Sequence, residues 1–283
     1  MRLYKSNFAN ILIIILLIQY KSFALSPIHF SEKIYKPLKK SAQFFVIEIE
    51  GYIYKFEKTK EETNKVGNSW NKLGMSDLEY ENWLNIIENG KKQILLLVKY
   101  FSNKSEALLH MKKVTCPNVF IKDFDGEIIE MKNRITYKQE KVETLGIALK
   151  RLYEEGDENT ITSILRQIIE KNQNGLWKFG FYDAGSAFQY NWGVKFKNNS
   201  PDVRLLDYGE LIEISDYAFA HIKERDFEKR WEIIKSSHRS SIITLTNENI
   251  AYTFLNNIKN EFTVEKLRYY YQQYIHNYTN RAS

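Results

Sequence analysis

Three oxygen-bearing side chains lie in two neighbouring stretches and could together bind a metal ion. The stretch DAGSAFQYNWGV carries Asp183 at its start and Asn191 directly before an apolar strand. The stretch VRLLDYGEL carries Asp207 after a strand and before Tyr-Gly. Carboxylate and amide oxygens are ligands that Mg²⁺ accepts in proteins. Two hairpin strands with polar turns would give the same pattern without chemistry, because Asp and Asn also favour turns.

The strands that would position these ligands belong to a chain with β-rich and helical parts. Alternating β-branched and aromatic residues predict a hairpin over residues 42–58 with its turn at Gly51, and another turning at Asp125-Gly126. An apolar run that keeps one charge, Lys99, predicts a buried strand over residues 93–101. The order of elements is typical of an α+β fold and not of β-α-β alternation.

Amphipathic spacing predicts helices on both sides of these hairpins. One begins at Ser76 and ends at Gly90, and another begins at Ser102. Further helices are predicted over residues 136–156, 160–175, 224–237 and 263–279.

Composition excludes several classes of protein. Hydrophobic residues make up 43% of the 283 residues, which favours an ordered core. The net charge is +6 without a basic run interleaved with aromatics, so nucleic acid is not expected as a partner. Cys116 is the only cysteine, and the five histidines lack the spacing of zinc hydrolases, so a zinc centre is not expected.

Residues 1–24 have the pattern of an export signal. A basic start precedes an apolar run over residues 11–18, and Ser22 and Ala24 form a small-x-small cleavage site. The run is about half as long as a membrane-spanning helix requires. We expect export through this signal peptide, to the periplasm, the cell exterior or the secretory-pathway lumen, with membrane attachment only if the leader stays uncleaved.

The motifs and their order resemble the protein-kinase-like fold in a divergent form. Members of that family bind ATP with magnesium between two lobes and use an Asp to orient the acceptor hydroxyl. The resemblance implies that Asp183 is this catalytic residue, and that Asn191 and Asp207 bind the metal. Tyr208 then stands in the place of the Phe of D-F-G. It also implies an N-lobe over residues 25–131 and a helical C-lobe over residues 132–283.

The resemblance leaves two choices for the lysine that contacts the phosphates. LLLVK ends at Lys99 like the kinase V-A-I-K strand, and Glu106 would follow it on a helix. GYIYKFEK offers Lys55 instead, with Glu79 or Glu81 on the next helix. We prefer Lys99, because it directly precedes the second hairpin.

The strand GEIIEM would lead into the hinge beneath the adenine. Glu130 and Met131 would then contact the nucleotide through backbone groups.

Three functions are compatible with these observations. The leading hypothesis is an exported phosphotransferase that uses ATP and Mg²⁺ on an unidentified hydroxyl acceptor, either a protein or a small molecule. The second is a pseudokinase that serves as a binding or regulatory module. It is favoured by the lack of a clear G-x-G-x-x-G loop and by Phe181-Tyr182 in place of His-Arg before Asp183. The third is an unrelated exported α+β interaction protein.

Overall fold

The structure is a computed structural model, and it describes most of the chain after the leader. The described residues are 33–39, 41–71, 77–100, 105–183, 188–209, 211–214, 232 and 246–282. The predicted export signal and nearly all of the helix predicted over residues 224–237 lie outside this set. Within it, no helix is long and apolar enough to cross a membrane.

The fold combines sheets and helices, which confirms the predicted α+β class. The strands are β1 (Ile34–Tyr35), β2 (Phe44–Ile49), β3 (Tyr52–Glu57), β4 (Met111–Val114), β5 (Val119–Lys122), β6 (Ile128–Met131), β7 (Thr136–Glu140), β8 (Glu143–Thr144), β9 (Phe181–Asp183), β10 (Trp192–Lys197), β11 (Ser200–Leu205) and β12 (Leu211–Glu213). The helices are α1 (Lys60–Asn71), α2 (Asp77–Tyr100), α3 (Leu145–Glu155), α4 (Glu158–Glu170), α5 (Phe188–Asn191), α6 (Glu248–Glu261) and α7 (Val264–Ala282). A π-helical turn (Lys171–Leu176) and a 3₁₀ turn (Trp177–Phe179) follow α4.

A four-stranded antiparallel sheet in the order β2-β3-β7-β4 holds the first part of the chain together. The β2–β3 hairpin forms as predicted, and Glu50 and Gly51 turn with positive φ angles of 51° and 77°. The sheet continues to Glu140, so a lobe boundary after residue 131 would separate β7 from the strands with which it pairs.

The two faces of this sheet pack against different partners. One face is covered by a second sheet, β1-β5-β6, through the buried side chains Phe45, Ile47, Phe56, Val119, Ile121 and Met131. The other face joins the main core through Phe44, Val46 and Tyr137. Lys55 pairs directly with Val46 and with Tyr137, so it lies on this second face.

The main core extends from the sheet into the helices of the second half of the chain. In α4 the buried residues recur at helical spacing, which is why residues 158–170 form a helix. The helix predicted over residues 160–175 is therefore confirmed as far as Glu170, and a π-helical turn follows it. Its N-terminus is capped by Asp157, whose carboxylate accepts a hydrogen bond from the N–H of Thr160. The helix predicted near the C-terminus is confirmed as α7.

The strand predicted over residues 93–101 is wrong as far as Tyr100, where the structure describes it. The helix that begins at Asp77 does not end at Gly90 but continues to Tyr100. Ile87, Ile94 and Leu97 are buried at helical spacing, and a short apolar run of this kind does not by itself distinguish a helix from a strand.

Two further helix predictions need correction. Residues 105–110 form a turn and an isolated bridge from Leu108 to Leu205, not a helix after Ser102. The helix predicted over residues 136–156 is divided, because residues 136–140 pair as β7 and only Leu145–Glu155 are helical.

Two small antiparallel sheets carry the residues with candidate chemistry. β10 pairs with β11 along their whole length, and β10 also pairs with β8. β9 pairs with β12, with Asp183 opposite Leu211. The predicted loop ligands therefore lie at the ends of strands that are joined by short connections.

Candidate functional site

Asp207 is the carboxylate of the candidate site that pairs with lysine. Its Oδ2 accepts a hydrogen bond from Nζ of Lys39 at 3.0 Å, and its Oδ1 accepts one from the N–H of Gly209 at 3.2 Å. Burial alone would raise the pKa of this carboxyl group, but the positive charges of Lys39 and Lys55 hold it well below its usual range. The side chain is therefore ionised at neutral pH, as a metal ligand must be.

Asn191 is linked to Asp207 through the backbone. The carbonyl oxygen of Asn191 accepts hydrogen bonds from the N–H groups of Leu206 at 2.6 Å and Asp207 at 3.3 Å. Asn191 is itself buried, at the last turn before β10. The structure therefore brings the Asn and the second Asp of the predicted set together.

Asp183 is held at the end of β9 by two separate connections. Its backbone pairs with Leu211, which follows the Asp207 turn, and its Oδ2 accepts a hydrogen bond from Nε1 of Trp192 at 2.9 Å. Trp192 is adjacent to Asn191 in the chain, and Asp183 is only 4% exposed. All three predicted oxygen ligands thus belong to one connected group of strand ends.

Lys55, one of the two lysines proposed for phosphate binding, also lies at this site. It is 5% exposed, and its Nζ donates a hydrogen bond to the carbonyl oxygen of Leu206 at 2.6 Å, one residue before Asp207. Burial lowers the pKa of Lys55 from its ordinary value of 10.5 to about 8, with Asp207 acting in the opposite direction and Lys39 in the same one. The ammonium is therefore buried and charged at neutral pH, and donates one hydrogen bond within the described residues.

Neighbouring side chains fix the turn that carries Asp207. The hydroxyl of Tyr208 donates a hydrogen bond to the carbonyl oxygen of Leu109, and Tyr208 is 1% exposed. Gln139 donates to the carbonyl oxygen of Leu206 at 3.3 Å. These contacts anchor the turn to β7 and to the segment just before β4.

Two glycines allow a close approach of backbone at the same turn. A Cβ atom on Gly209 would lie 1.8 Å from Oε1 of Gln43, and a Cβ atom on Gly90 would lie 2.8 Å from the carbonyl oxygen of Gly209. Gln43 also donates a hydrogen bond to that carbonyl at 3.2 Å. Gly90 therefore serves close packing inside α2, rather than ending the helix.

Lys99 was predicted in a strand and Glu106 in a helix, and the structure places neither residue in the predicted element. Lys99 is in α2, not in a strand, and its side chain lies outside the described residues. Glu106 is exposed in a turn, where it lines a separate cavity of about 330 Å³ with Leu109 and Arg204. The alternative choice, Lys55, lies at the Asp207 turn, where its Nζ bonds the carbonyl of Leu206.

Glu130 and Met131, the predicted hinge residues, lie in β6 of the β1-β5-β6 sheet. That sheet covers one face of the four-stranded sheet, and Lys55 lies on the other face. Met131 is completely buried in that second cluster, and Glu130 is exposed. The chain passes from the four-stranded sheet towards α3 through Lys141 and Val142, after the end of β7, and not through Glu130 and Met131.

Sequence reasoning missed Lys39 and Gln43, which precede β2. Lys39 belongs to a polar approach to the first strand, Gln43 falls at the start of the predicted hairpin, and no motif marks either residue. One sequence feature could have indicated them. Both residues lie just before β2, and β2 pairs with β3, the strand that carries Lys55.

The side chains of the candidate site offer oxygen ligands for a hard cation and ammonium groups for an anion. Asp207 and Asn191 offer carboxylate and amide oxygens, and Lys55 and Lys39 offer two ammonium groups. The hydroxyl of Tyr137, beside Lys55 in the sheet, is buried and has no hydrogen-bond partner among the described residues. Among the residues that the structure describes, no cluster of three His, Cys, Asp or Glu side chains could hold a metal. A hard cation here would take ligands from a polyanion or from water.

No protein-family profile matches the chain, and no curated protein matches it significantly.

Proposed function

We propose that this chain is a phosphotransferase of the protein-kinase-like type, which binds ATP with Mg²⁺ and transfers a phosphoryl group to a hydroxyl acceptor. The observation that carries the proposal is the buried ammonium of Lys55 beside the ionised carboxylate of Asp207. Burying a lysine side chain costs free energy unless a partner offsets it. A bound polyphosphate would supply that partner, and Lys55 replaces Lys99 in this role.

The proposed nucleotide site lies between two lobes. The first lobe contains the sheet β2-β3-β7-β4, with Lys55 on a central strand and α2 after it. The second contains α3, α4 and the strand pairs that carry Asp183 and Asp207. The boundary between the proposed lobes therefore lies after the end of β7, and not after residue 131. It resembles the kinase arrangement of a strand lysine, a catalytic Asp, and an Asn and Asp for the metal.

Each residue has a defined role in the proposed reaction. Mg²⁺ bound by Asp207 and Asn191 would neutralise charge on the phosphates. Lys55 would hold the phosphates through its ammonium group. Asp183 would accept the proton of the acceptor hydroxyl as the γ-phosphoryl group passes from ATP to that oxygen and ADP leaves, and Trp192 fixes the orientation of its carboxylate.

Catalytically inactive nucleotide binding is the second candidate function. It is favoured by the pairing of Lys55, which donates to the Leu206 carbonyl and forms no ion pair with a described residue of α2. Glu88 of α2 pairs with Lys91 of the same helix instead, at 2.8 Å. In active kinases an ion pair between the strand lysine and a helix glutamate must form.

Thermal unfolding of the full chain with and without Mg-ATP tests the site. Ligand at 100 times its dissociation constant adds about 2.7 kcal/mol, which raises the melting temperature by about 5–10 °C for a chain of this size. Asp207→Asn should abolish the rise. Asp202→Asn is the matched control, because Asp202 is a partly buried carboxylate of β11 that pairs with Arg204. A wild-type protein that folds but shows no rise at millimolar nucleotide would remove the proposal.

Phosphate transfer separates the two candidates. An active enzyme should form ADP from Mg-ATP, and Asp183→Asn should stop this while nucleotide still raises the melting temperature. A wild-type protein that binds Mg-ATP but forms no ADP with any hydroxyl acceptor supplied would support the pseudokinase.

A further inference from the structure

Lys39 stands in an unusual electrostatic position, because two ammonium groups face one carboxylate. Asp207 pairs with Lys39 at 3.0 Å, and the charge of Lys55 also acts on it. The three groups together carry a net charge of +1. A divalent cation on Asp207 would raise the charge of these groups to +3, which a bound polyanion would offset in a site where Lys55 is buried.

The segment that holds Lys39 is anchored, so its contact with Asp207 does not come from a free surface loop. We call Leu38, Lys39 and Ser41–Gln43 the pre-β2 segment. Lys58 donates to the Ser41 carbonyl at 2.7 Å, and the Leu38 N–H donates to the carbonyl of Val46 at 2.7 Å. Gln43 closes the segment onto Gly209, two residues beyond Asp207.

Lys39 also has the freedom that an exchange of partners requires. Its side chain is 37% exposed, whereas that of Asp207 is 17% exposed. The lysine stem is long and flexible, so its ammonium can leave the carboxylate without movement of the anchored backbone. Asp207 is fixed by the Gly209 N–H and stays in place.

We propose that Lys39 is a second polyphosphate-binding lysine, which neutralises Asp207 in the nucleotide-free protein and moves to phosphate oxygens when a divalent cation takes Asp207. The pre-β2 segment then covers the phosphates, a role for which the chain has no glycine-rich motif. This inference rests on the proposed function and adds a specific residue to it. Lys39 competes with the metal alone but assists the metal–nucleotide complex.

The opposite signs of these two effects give the test. Mn²⁺ binding to the full chain is measured by the paramagnetic resonance of free Mn²⁺, and Mg-ATP binding by titration calorimetry. Lys39→Met should bind Mn²⁺ alone several-fold more tightly, because the competing ammonium is gone. The same variant should bind Mg-ATP about tenfold more weakly, because one charge-assisted hydrogen bond to phosphate is lost. Lys36→Met, an exposed lysine three residues earlier, is the matched control and should change neither constant.

Each other outcome overturns the inference in a recognisable way. Tighter binding of both ligands by Lys39→Met would make Lys39 only a competitor, and weaker binding of both would make its role structural. If wild type binds Mg-ATP and Lys39→Met behaves like Lys36→Met, the Lys39 inference fails and the proposed function stands. If wild type binds neither Mn²⁺ nor Mg-ATP, both fail.

Discussion

Lys55→Met should remove a pH dependence of stability that the wild-type protein owes to one buried ammonium. Burial, the largest cause, lowers the pKa of Lys55 from 10.5 to about 8 in the folded protein. Below pH 8 both the folded and the unfolded chain hold this proton, so stability does not change with pH through Lys55. Between pH 8 and 10.5 the unfolded chain holds more protons than the folded one, so the free energy of unfolding rises with pH.

The magnitude follows from these two pKa values. The complete rise is about 3 kcal/mol, and about 2 kcal/mol of it is reached from about pH 7 to 9.5. Because Lys55 is only 5% exposed, solvent screening reduces this little. The tyrosines with raised pKa values, Tyr137 and Tyr208, remain protonated in both states over most of this range and are present in both proteins.

Urea unfolding of wild type and Lys55→Met measures the difference, at several pH values from about 7 to 9.5 and with a chelator present. We expect the two free energies to diverge by about 2 kcal/mol, in favour of wild type as pH rises. Lys112→Met removes an exposed lysine of the same sheet and should keep the wild-type pH dependence. Parallel curves for wild type and Lys55→Met would refute the assignment of a buried, charged Lys55.

Other substitutions test the packing around the site and the core. Gly209→Ala should cost about 1 kcal/mol in urea unfolding, because the added Cβ would meet Oε1 of Gln43 at 1.8 Å and displace that side chain from its hydrogen bond to the Gly209 carbonyl. Glu62→Gln should cost about 1 kcal/mol at neutral pH, since Glu62 bonds both terminal nitrogens of Arg134. The pKa of Glu62 is lowered in the folded state, because hydrogen bonds and the charge of Arg134 outweigh burial, so this cost should shrink as pH falls below the ordinary carboxyl range. Ile164→Ala should cost about 2–5 kcal/mol, whereas Ile147→Ala, at a residue that is 60% exposed, should change stability by less than about 0.5 kcal/mol. Equal costs for the two isoleucines would contradict the assigned core.

Local patterns predicted the elements whose structure depends on neighbours in the sequence. The β2–β3 hairpin needs a residue of positive φ, and Gly51 provides it next to alternating apolar residues. The β5–β6 hairpin turns at Asp125-Gly126 for the same reason. Helix α4 has a cap and a repeating apolar face, and both are visible without a structure.

The candidate site was predictable in part. Asp183, Asn191 and Asp207 were selected from their positions at strand ends, and the structure joins those strand ends through the Asn191 carbonyl and the β9–β12 pair. The choice between Lys55 and Lys99 could not be made from local pattern. Both lysines end or interrupt an apolar run, and only the pairing of β3 between β2 and β7 buries Lys55 at the Asp207 turn.

The sequence by itself determined the α+β class, the β2–β3 and β5–β6 hairpins, helices α4 and α7, and the choice of three candidate oxygen ligands. Tertiary structure decided that residues 93–100 continue a helix, that β6 covers the far face of the sheet, and that Lys39 reaches Asp207. The physical reason is the range of the forces involved. Turn geometry and apolar periodicity act between residues a few positions apart. The hydrogen bond of the buried Lys55 ammonium and the ion pair of Lys39 with Asp207 instead join residues that are 151 and 168 positions apart.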